Sequence, residues 1–377
     1  MKILIHIAKV RAYGSGYQIM LANLGAELSR AGHEVLIEGD FEPNPQFRES
    51  LRAAGLRIVQ FGFAQSSLWR CLRLVHQMNR EGIEVVLSSG LGCDARLAPL
   101  RPFIKAKVVS VFQENPYTAY AERGLRGRLI AEIHVRGVSL LFDRIICISD
   151  YVRFSVTRGP FVARKKFVTI RNGVDSRDFQ PRRITNKLPY WGETREHYRY
   201  VIGLVGRISS EKRPDLIFTL AKMMDKEMKG EVNILYVLVG DGALRPQLED
   251  RIRLLTNPSR FQLVGSKNQM TDVFNHLDIL VHFRRDEGFG LVLAEAMACK
   301  IPVVSVKGGG IDEVITTGIT GLLVDSLKEM PGAIRKILTD RRLRKSISDT
   351  ARLAALNEFS VQRQTAEYQK VFESLFR

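Results

Sequence analysis

The sequence predicts an α/β protein of two Rossmann-like halves with a cleft between them, and three observations carry that expectation. Short apolar runs alternate with helix-patterned segments along the whole chain, as in a parallel sheet whose strands are joined through helices. The periodicity breaks at residues 181–197 (PRRITNKLPYWGETREH), where prolines and polar side chains crowd together. It then restarts with a strand, a glycine turn and a helix of the kind that opens the chain. At 377 residues the length accommodates two domains of ordinary size. The expected division is a domain over 1–180, a linker over 181–197 and a second domain over 198–360. A last helix over 361–377 is expected to pack back on the first domain.

In the first half, Lys2–Ala8 (KILIHIA) reads as a buried strand, which makes His6 a core residue. The loop from Arg11 to Gly16 leads into a helical pattern through Ile19, Leu21, Leu24 and Leu28, stopped at Gly32-His33. A second strand follows at Glu34–Ile37. Further strand-like runs lie at Arg57–Phe61, Val85–Ser88, Val108–Phe112, Arg144–Ile148 and Phe167–Ile170. Asn172-Gly173 is turn chemistry. After the linker comes Tyr200–Gly206, then Arg207 to Lys212 and a helix from Pro214. Strands recur at Ile234–Val239, Phe261–Val264, Asp278–Val281, Pro302–Val306 and Gly321–Val324. Helical segments fill the chain from Ser326 to Arg377.

Composition narrows the class. The four cysteines are scattered, with no CxxC spacing and no Cys/His cluster, which fits a reduced compartment and speaks against a zinc site. No run of about 20 apolar residues is present, so a cytoplasmic protein is expected. The formal net charge is +17, and residues 101–190 hold 18 Lys and Arg against 7 Asp and Glu. A charge so localised asks for an anionic partner. The segment Ala121–Phe142 mixes Arg123, Arg126, Arg128 and Arg136 with Leu125, Leu129, Ile130 and Ile133, and places His134 on its surface. A basic helix of this kind can lie on the inner face of an anionic membrane, although at about 100° per residue its four arginines do not share one face. Nucleic acid fits less well, because the basic residues lack interleaved aromatics.

The chemistry centres on Arg285–Ser305 (RDEGFGLVLAEAMACKIPVVS). Gly288 and Gly290 allow a tight turn and a close ligand, and a helix starting near Gly290 would turn its N–H groups toward a phosphate. Glu287 in the loop and Glu295 within the helix repel a phosphate and suit ligand hydroxyls. Phosphate and hydroxyls together describe a nucleotide sugar. No Asp-x-Asp pair occurs, so the common metal clamp for a diphosphate is missing. Arg207 and Lys212 supply cations directly after a strand, the one a fork of donors and the other a point charge.

Glu287-Gly-Phe-Gly-Leu-x-x-x-Glu295, followed by Ala-Met-Ala, Pro302-Val-Val and Gly308-Gly-Gly-Ile-Asp-Glu-Val314, resembles the Glu-x7-Glu signature of retaining glycosyltransferases of family four. Phe142–Ser149, Ile170–Asp175 and the Arg207…Glu211-Lys212 element are similar to the family as well. The resemblance implies the GT-B fold, two Rossmann-like domains facing each other across a cleft. It implies hexose transfer from a nucleotide diphosphate sugar to a glycan or lipid-linked acceptor of the polysaccharide or lipopolysaccharide type, with no metal and no cofactor. Arg207, Lys212 and Glu287 become the catalytic set. Donor binding adds Gly14, Gly16 and Gly265, the turn Gly288, Phe289, Gly290 and Leu291, and Glu295 at the ribose. Retention in the family is thought to proceed on the front face, a donor phosphate oxygen taking the acceptor's proton. Two departures stand out. Gln113 or Glu114 occupies the place of a family histidine and is assigned to the acceptor side, and His282-Phe-Arg-Arg285 replaces a usual Pro-Ser. A nucleotide-sugar epimerase and a basic membrane- or nucleic-acid-binding module without transferase chemistry are the alternatives.

Overall fold

The structure, a computed structural model, describes residues 1–7, 16–39, 45–59, 68–183 and 197–377. Two compact units emerge, one of Met1–Gly173 with Val361–Arg377 and one of Val174–Ser360.

The first unit holds a seven-stranded sheet of β1 (Lys2–Ile7), β2 (Glu34–Glu38), β3 (Arg57–Val59), β4 (Val85–Ser89), β5 (Lys107–Phe112), β6 (Arg144–Cys147) and β7 (Phe167–Thr169). Every pairing is parallel, in the order β3-β2-β1-β4-β5-β6-β7. The central strands are buried on both faces, which is why they read as continuous apolar runs without alternation. The second unit repeats the plan with β8 (Tyr200–Val205), β9 (Ile234–Val239), β10 (Phe261–Gly265), β11 (Ile279–His282), β12 (Val303–Val306) and β13 (Leu322–Val324). Their order is β10-β9-β8-β11-β12-β13, again parallel throughout. The chain builds outward from β8 in one direction and then returns to add β11 on its other side. Between β8 and β11 lies the switch point, where a doubly wound sheet leaves a crevice beyond its strand ends.

The first unit ends at Gly173, earlier than the expected 180. Val174 N–H bonds to Phe359 O at 2.7 Å, and the Phe179 ring packs 6.0 Å from that of Phe274. Asn275 donates to Gln180 O and accepts from Arg182 N–H, so residues up to 182 are fastened to the second unit. Of the expected linker, residues 184–196 lie outside the described residues. The helix Val361–Ser374 belongs to the first unit, with Tyr368 and Phe372 buried and Gln364 Oε1 accepting from Gly173 N–H at 3.1 Å.

One histidine reading holds and one changes. His6 is buried as expected, but it pairs with the Glu38 carboxylate at the ends of adjacent strands. Burial opposes its charge, yet Cys93 and Glu38 beside it push the imidazole up to about 10. His134 is not a surface residue. Its side chain is 8% exposed, and Nε2 lies 2.8 Å from the buried Asp94, which also accepts from Ser88 and Ser110. Among the described residues no helix is long and apolar enough to cross a membrane.

Candidate active site

The candidate site is assembled at the C-terminal ends of β8 and β11, on the two sides of the switch point. Beyond β8 the chain turns through Gly206 (φ 144°) into Arg207 and reaches Lys212 at the end of a 3₁₀ turn. Gly206 receives company because its neighbours are glycines. A Cβ on Gly240 would stand 1.9 Å from Gly206 O, and one on Gly242 would stand 2.4 Å from Ile208 O. Gly240 N–H in turn bonds to Gly265 O at 3.0 Å. The ends of β8, β9 and β10 therefore close on one another through bare backbone, and Gly265 lies at the same sheet end as Arg207.

Beyond β11 comes the loop from Phe283 to Gly290. It rests on Gly308-Gly309-Gly310, where added Cβ atoms would meet Arg285 O at 2.6 Å, Glu287 O at 2.6 Å and Gly288 O at 2.1 Å. Gly310 N–H also bonds to Glu287 O at 2.8 Å. The glycine triplet is thus a bed for the Glu287 loop. Gly310→Ala is expected to lower stability by about 2–3 kcal/mol, since the methyl must displace backbone. Urea unfolding checks this, with Gly92→Ala, whose added Cβ meets nothing within 4 Å, as the neutral comparison.

The loop brings Glu287 to Lys212. Lys212 Nζ is hydrogen-bonded to Glu287 Oε2, and His282 Nε2 lies 3.3 Å from the same oxygen. Burial works against the Glu287 charge, but the Lys212 ammonium and then His282 outweigh it and hold the carboxyl far below the usual carboxylate range. His282 moves the other way. Burial lowers it, Glu287 offsets only part of that, and the ring is neutral at pH 7. Nε2 faces the Glu287 carboxylate, and Nδ1 lies 3.4 Å from Ser305 Oγ. Arg284, 9% exposed, adds positive charge beside Glu287 and binds Asp286 at 3.0 Å. Arg207 is half exposed and pairs with Glu211 at 3.4 Å, a contact loose enough to yield to a ligand.

Gly290 (φ 85°) caps the helix Leu291–Ala298 in the left-handed conformation. Among the described residues the N–H groups of Leu291 and Val292 have no acceptor, and they open at the positive end of the helix. Gly288 shares this turn. The Phe289 side chain does not, because its ring is 1% exposed and packs 5.7 Å from Phe359. Of Phe289 only the backbone remains for a ligand. Glu295 lies in the second turn, partly buried, with no hydrogen-bonding or ionic partner among the described residues. Burial alone pushes its carboxyl up to about 8.

In the first unit, Gly14 lies outside the described residues, and Gly16 is the exposed first residue of the helix Gly16–Arg30. Gln113 follows β5, with both amide atoms buried and unpartnered, while the neighbouring Glu114 is exposed. Among the described residues no three His, Cys, Asp or Glu side chains stand close enough to hold a metal ion. Sequence reasoning missed His282 and Arg284. The available signal was their place at the end of an apolar strand, directly before the glycine loop.

Residues 14–178 match the family model described as Glycosyltransferase Family 4, and residues 192–354 match Glycosyl transferases group 1. Each match spans somewhat less than half of the chain, so that its two halves are each similar to glycosyltransferase domains. The chain is 27% identical to the uncharacterized glycosyltransferase MJ1178 of Methanocaldococcus jannaschii, across 62% of this chain and 60% of that protein. It is 26% identical to the N-acetyl-α-D-glucosaminyl L-malate synthase of Bacillus anthracis, across 69% of this chain and 71% of the other. The crystal structure of Anabaena HepE in complex with UDP-glucose matches with a TM-score of 0.79 at 18% identity, covering 98% of this chain and 100% of that one. That likeness is one of fold, and the fold is that of the GT-B glycosyltransferases.

Proposed function

We propose that this glycosyltransferase is a retaining, metal-independent enzyme of family four that moves a hexose from a nucleotide diphosphate sugar to a glycan or lipid-linked acceptor in the cytoplasm. The observation that carries the reading is the Lys212–Glu287–His282 cluster at the switch point. A buried carboxylate holds the ammonium in place, and Lys still has donors to spare for phosphate oxygens. Lys212, Arg207 and the N–H groups at Leu291 and Val292 together supply the positive charge that a departing diphosphate needs. Glu295 would accept from the ribose hydroxyls. The bond between the sugar's anomeric carbon and the diphosphate breaks, the acceptor oxygen bonds to that carbon on the same face, and its proton passes to a phosphate oxygen of the leaving group. No side chain need act as nucleophile. HepE was solved with UDP-glucose, which supports a nucleotide diphosphate hexose as donor here. Gln113, with both amide atoms unsatisfied, fits an acceptor hydroxyl. A lipid-linked acceptor would bring the work to a membrane surface.

A thermal-shift series over uridine, guanosine and adenosine diphosphate hexoses tests the donor. One of them should raise the melting temperature selectively, because a ligand bound only to the folded state stabilises it by mass action. Nucleotide release should then require an acceptor and persist in excess chelator. No stabilisation by any of these donors would overturn the donor reading, turnover lost to chelator and restored by magnesium would overturn metal independence, and sugar isomerisation without acceptor would mark an epimerase.

A further inference from the structure

The helix Gly124–Leu141 carries a surface that no part of the transferase site uses. Leu125, Leu129, Ile133 and Leu140 are 87%, 61%, 64% and 68% exposed. At about 100° per residue they fall within one arc of about 80°, with Arg136 inside it and Arg126 and Arg128 on its opposite flanks. The apolar stripe, rather than the arginines, defines the face, with Arg126 and Arg128 bordering it. Arg136 carries this surface on to Phe161, and a second cation–aromatic pair is exposed at the helix Asp150–Thr157. Phe161 is 83% exposed with the Arg136 guanidinium 6.0 Å from its ring, and Phe154 is 58% exposed under the Arg158 guanidinium at 3.9 Å. Lys166 Nζ bonds to Leu140 O and Phe142 O, which ties the basic stretch Arg164-Lys165-Lys166 to the helix end. Among the described residues Arg126, Arg128, Arg158, Arg164 and Lys165 have no carboxylate partner.

We propose that this face docks on an anionic phospholipid surface, with Leu125, Leu129, Ile133 and Phe161 entering the boundary between headgroups and acyl chains and the flanking cations meeting lipid phosphates. Charge complementarity selects this occupant. A second copy of the chain would set cations against cations in an isologous contact. A nucleic acid would accept the cations but would gain nothing from exposed leucines, which a monomeric soluble surface ordinarily avoids in a contiguous row.

The test is flotation of the full chain with vesicles of phosphatidylcholine alone or with about 30 mol % phosphatidylglycerol at roughly 150 mM salt. Binding to the anionic vesicles alone, weakening as salt rises, is expected. Leu125→Ser/Leu129→Ser/Ile133→Ser and Arg126→Glu/Arg128→Glu should each reduce it at least tenfold while thermal unfolding stays unchanged, these side chains being exposed. Equal binding to neutral vesicles, no binding to either, or a serine variant that floats like the wild type would overturn the proposal. So would a dimer dissolved by the serine changes, or a complex with duplex nucleic acid lost on charge reversal, where vesicle binding is absent. Flotation needs no turnover, so its failure would leave the transferase reading standing.

Discussion

Replacing Lys212 by methionine should lower transfer turnover by two to three orders of magnitude, the usual consequence of removing one group that stabilises developing charge. It should also reduce stability at pH 7 by about 2–3 kcal/mol. That is just under the range for breaking a buried ion pair, because Glu287 keeps 15% of its side chain exposed. The two effects have different origins and can be separated. In the wild type the folded-state pKa of Glu287 is depressed, so its contribution is present above the unfolded carboxylate value and is lost as pH falls through the folded one. In the variant, burial acts with less opposition and raises the carboxyl, so the stability deficit should narrow as pH falls toward about 4 to 5. Adding Glu287→Gln to Lys212→Met removes the uncompensated charge. The double variant should regain stability at pH 7 and remain inactive. Urea unfolding at pH 5 and 7, with kcat at saturating donor, measures all of this. Turnover within tenfold of wild type in Lys212→Met would show that the leaving group is held by something else.

That prediction turns on a contact the sequence does not display. Strands buried on both faces leave continuous apolar runs, so β1, β4, β5, β8 and β9 could be placed from the sequence alone. Lys212 and Glu287 were legible one at a time, each in a short loop after a strand. Their pairing across 75 residues depends on β11 lying beside β8, which strand order decides and local pattern does not. The same holds for His282, which looked like a departure from the family's usual residues until the strand was seen to carry it to Glu287. His134 was misplaced because its partner, Asp94, comes from another helix. Phe289 offers a ligand its backbone, as its glycine neighbours do, and only the fold shows that its ring answers to Phe359. Gly310 shows the general difficulty, since a glycine in a sequence announces freedom and only the fold reveals which backbone needs the space.

Glu295→Gln should abolish a pH dependence that the wild type shows in binding its donor. In the free protein, burial holds the carboxyl up to about 8 with no ionic partner among the described residues, so at pH 7 most molecules carry it protonated. Ribose hydroxyls donate best to the ionised form, and their hydrogen bonds to a charged acceptor are worth about 1.5–3 kcal/mol. Donor affinity should therefore rise from pH 6 to about 8 and then level off, with proton release on binding. A nucleotide diphosphate sugar is the right probe, since its phosphates do not titrate in this range. The glutamine variant should bind nearly as the wild type does at pH 6 and roughly ten- to a hundredfold more weakly at pH 8.5. Stability should run the opposite way. A carboxyl raised in the folded state is protonated there while the unfolded chain has already lost its proton, so wild-type stability falls as pH rises from about 4.5 to about 8. Glutamine escapes that loss and should be more stable than glutamate at pH 8 by about 1–3 kcal/mol, the trade expected where an unpartnered group is kept for a ligand. Calorimetric titration in buffers of differing ionisation enthalpy, beside urea unfolding at the same pH values, reads both signs. Parallel affinity profiles for the two proteins would remove Glu295 from the nucleotide, and a less stable variant at pH 8 would mean that the carboxylate has a partner within the fold.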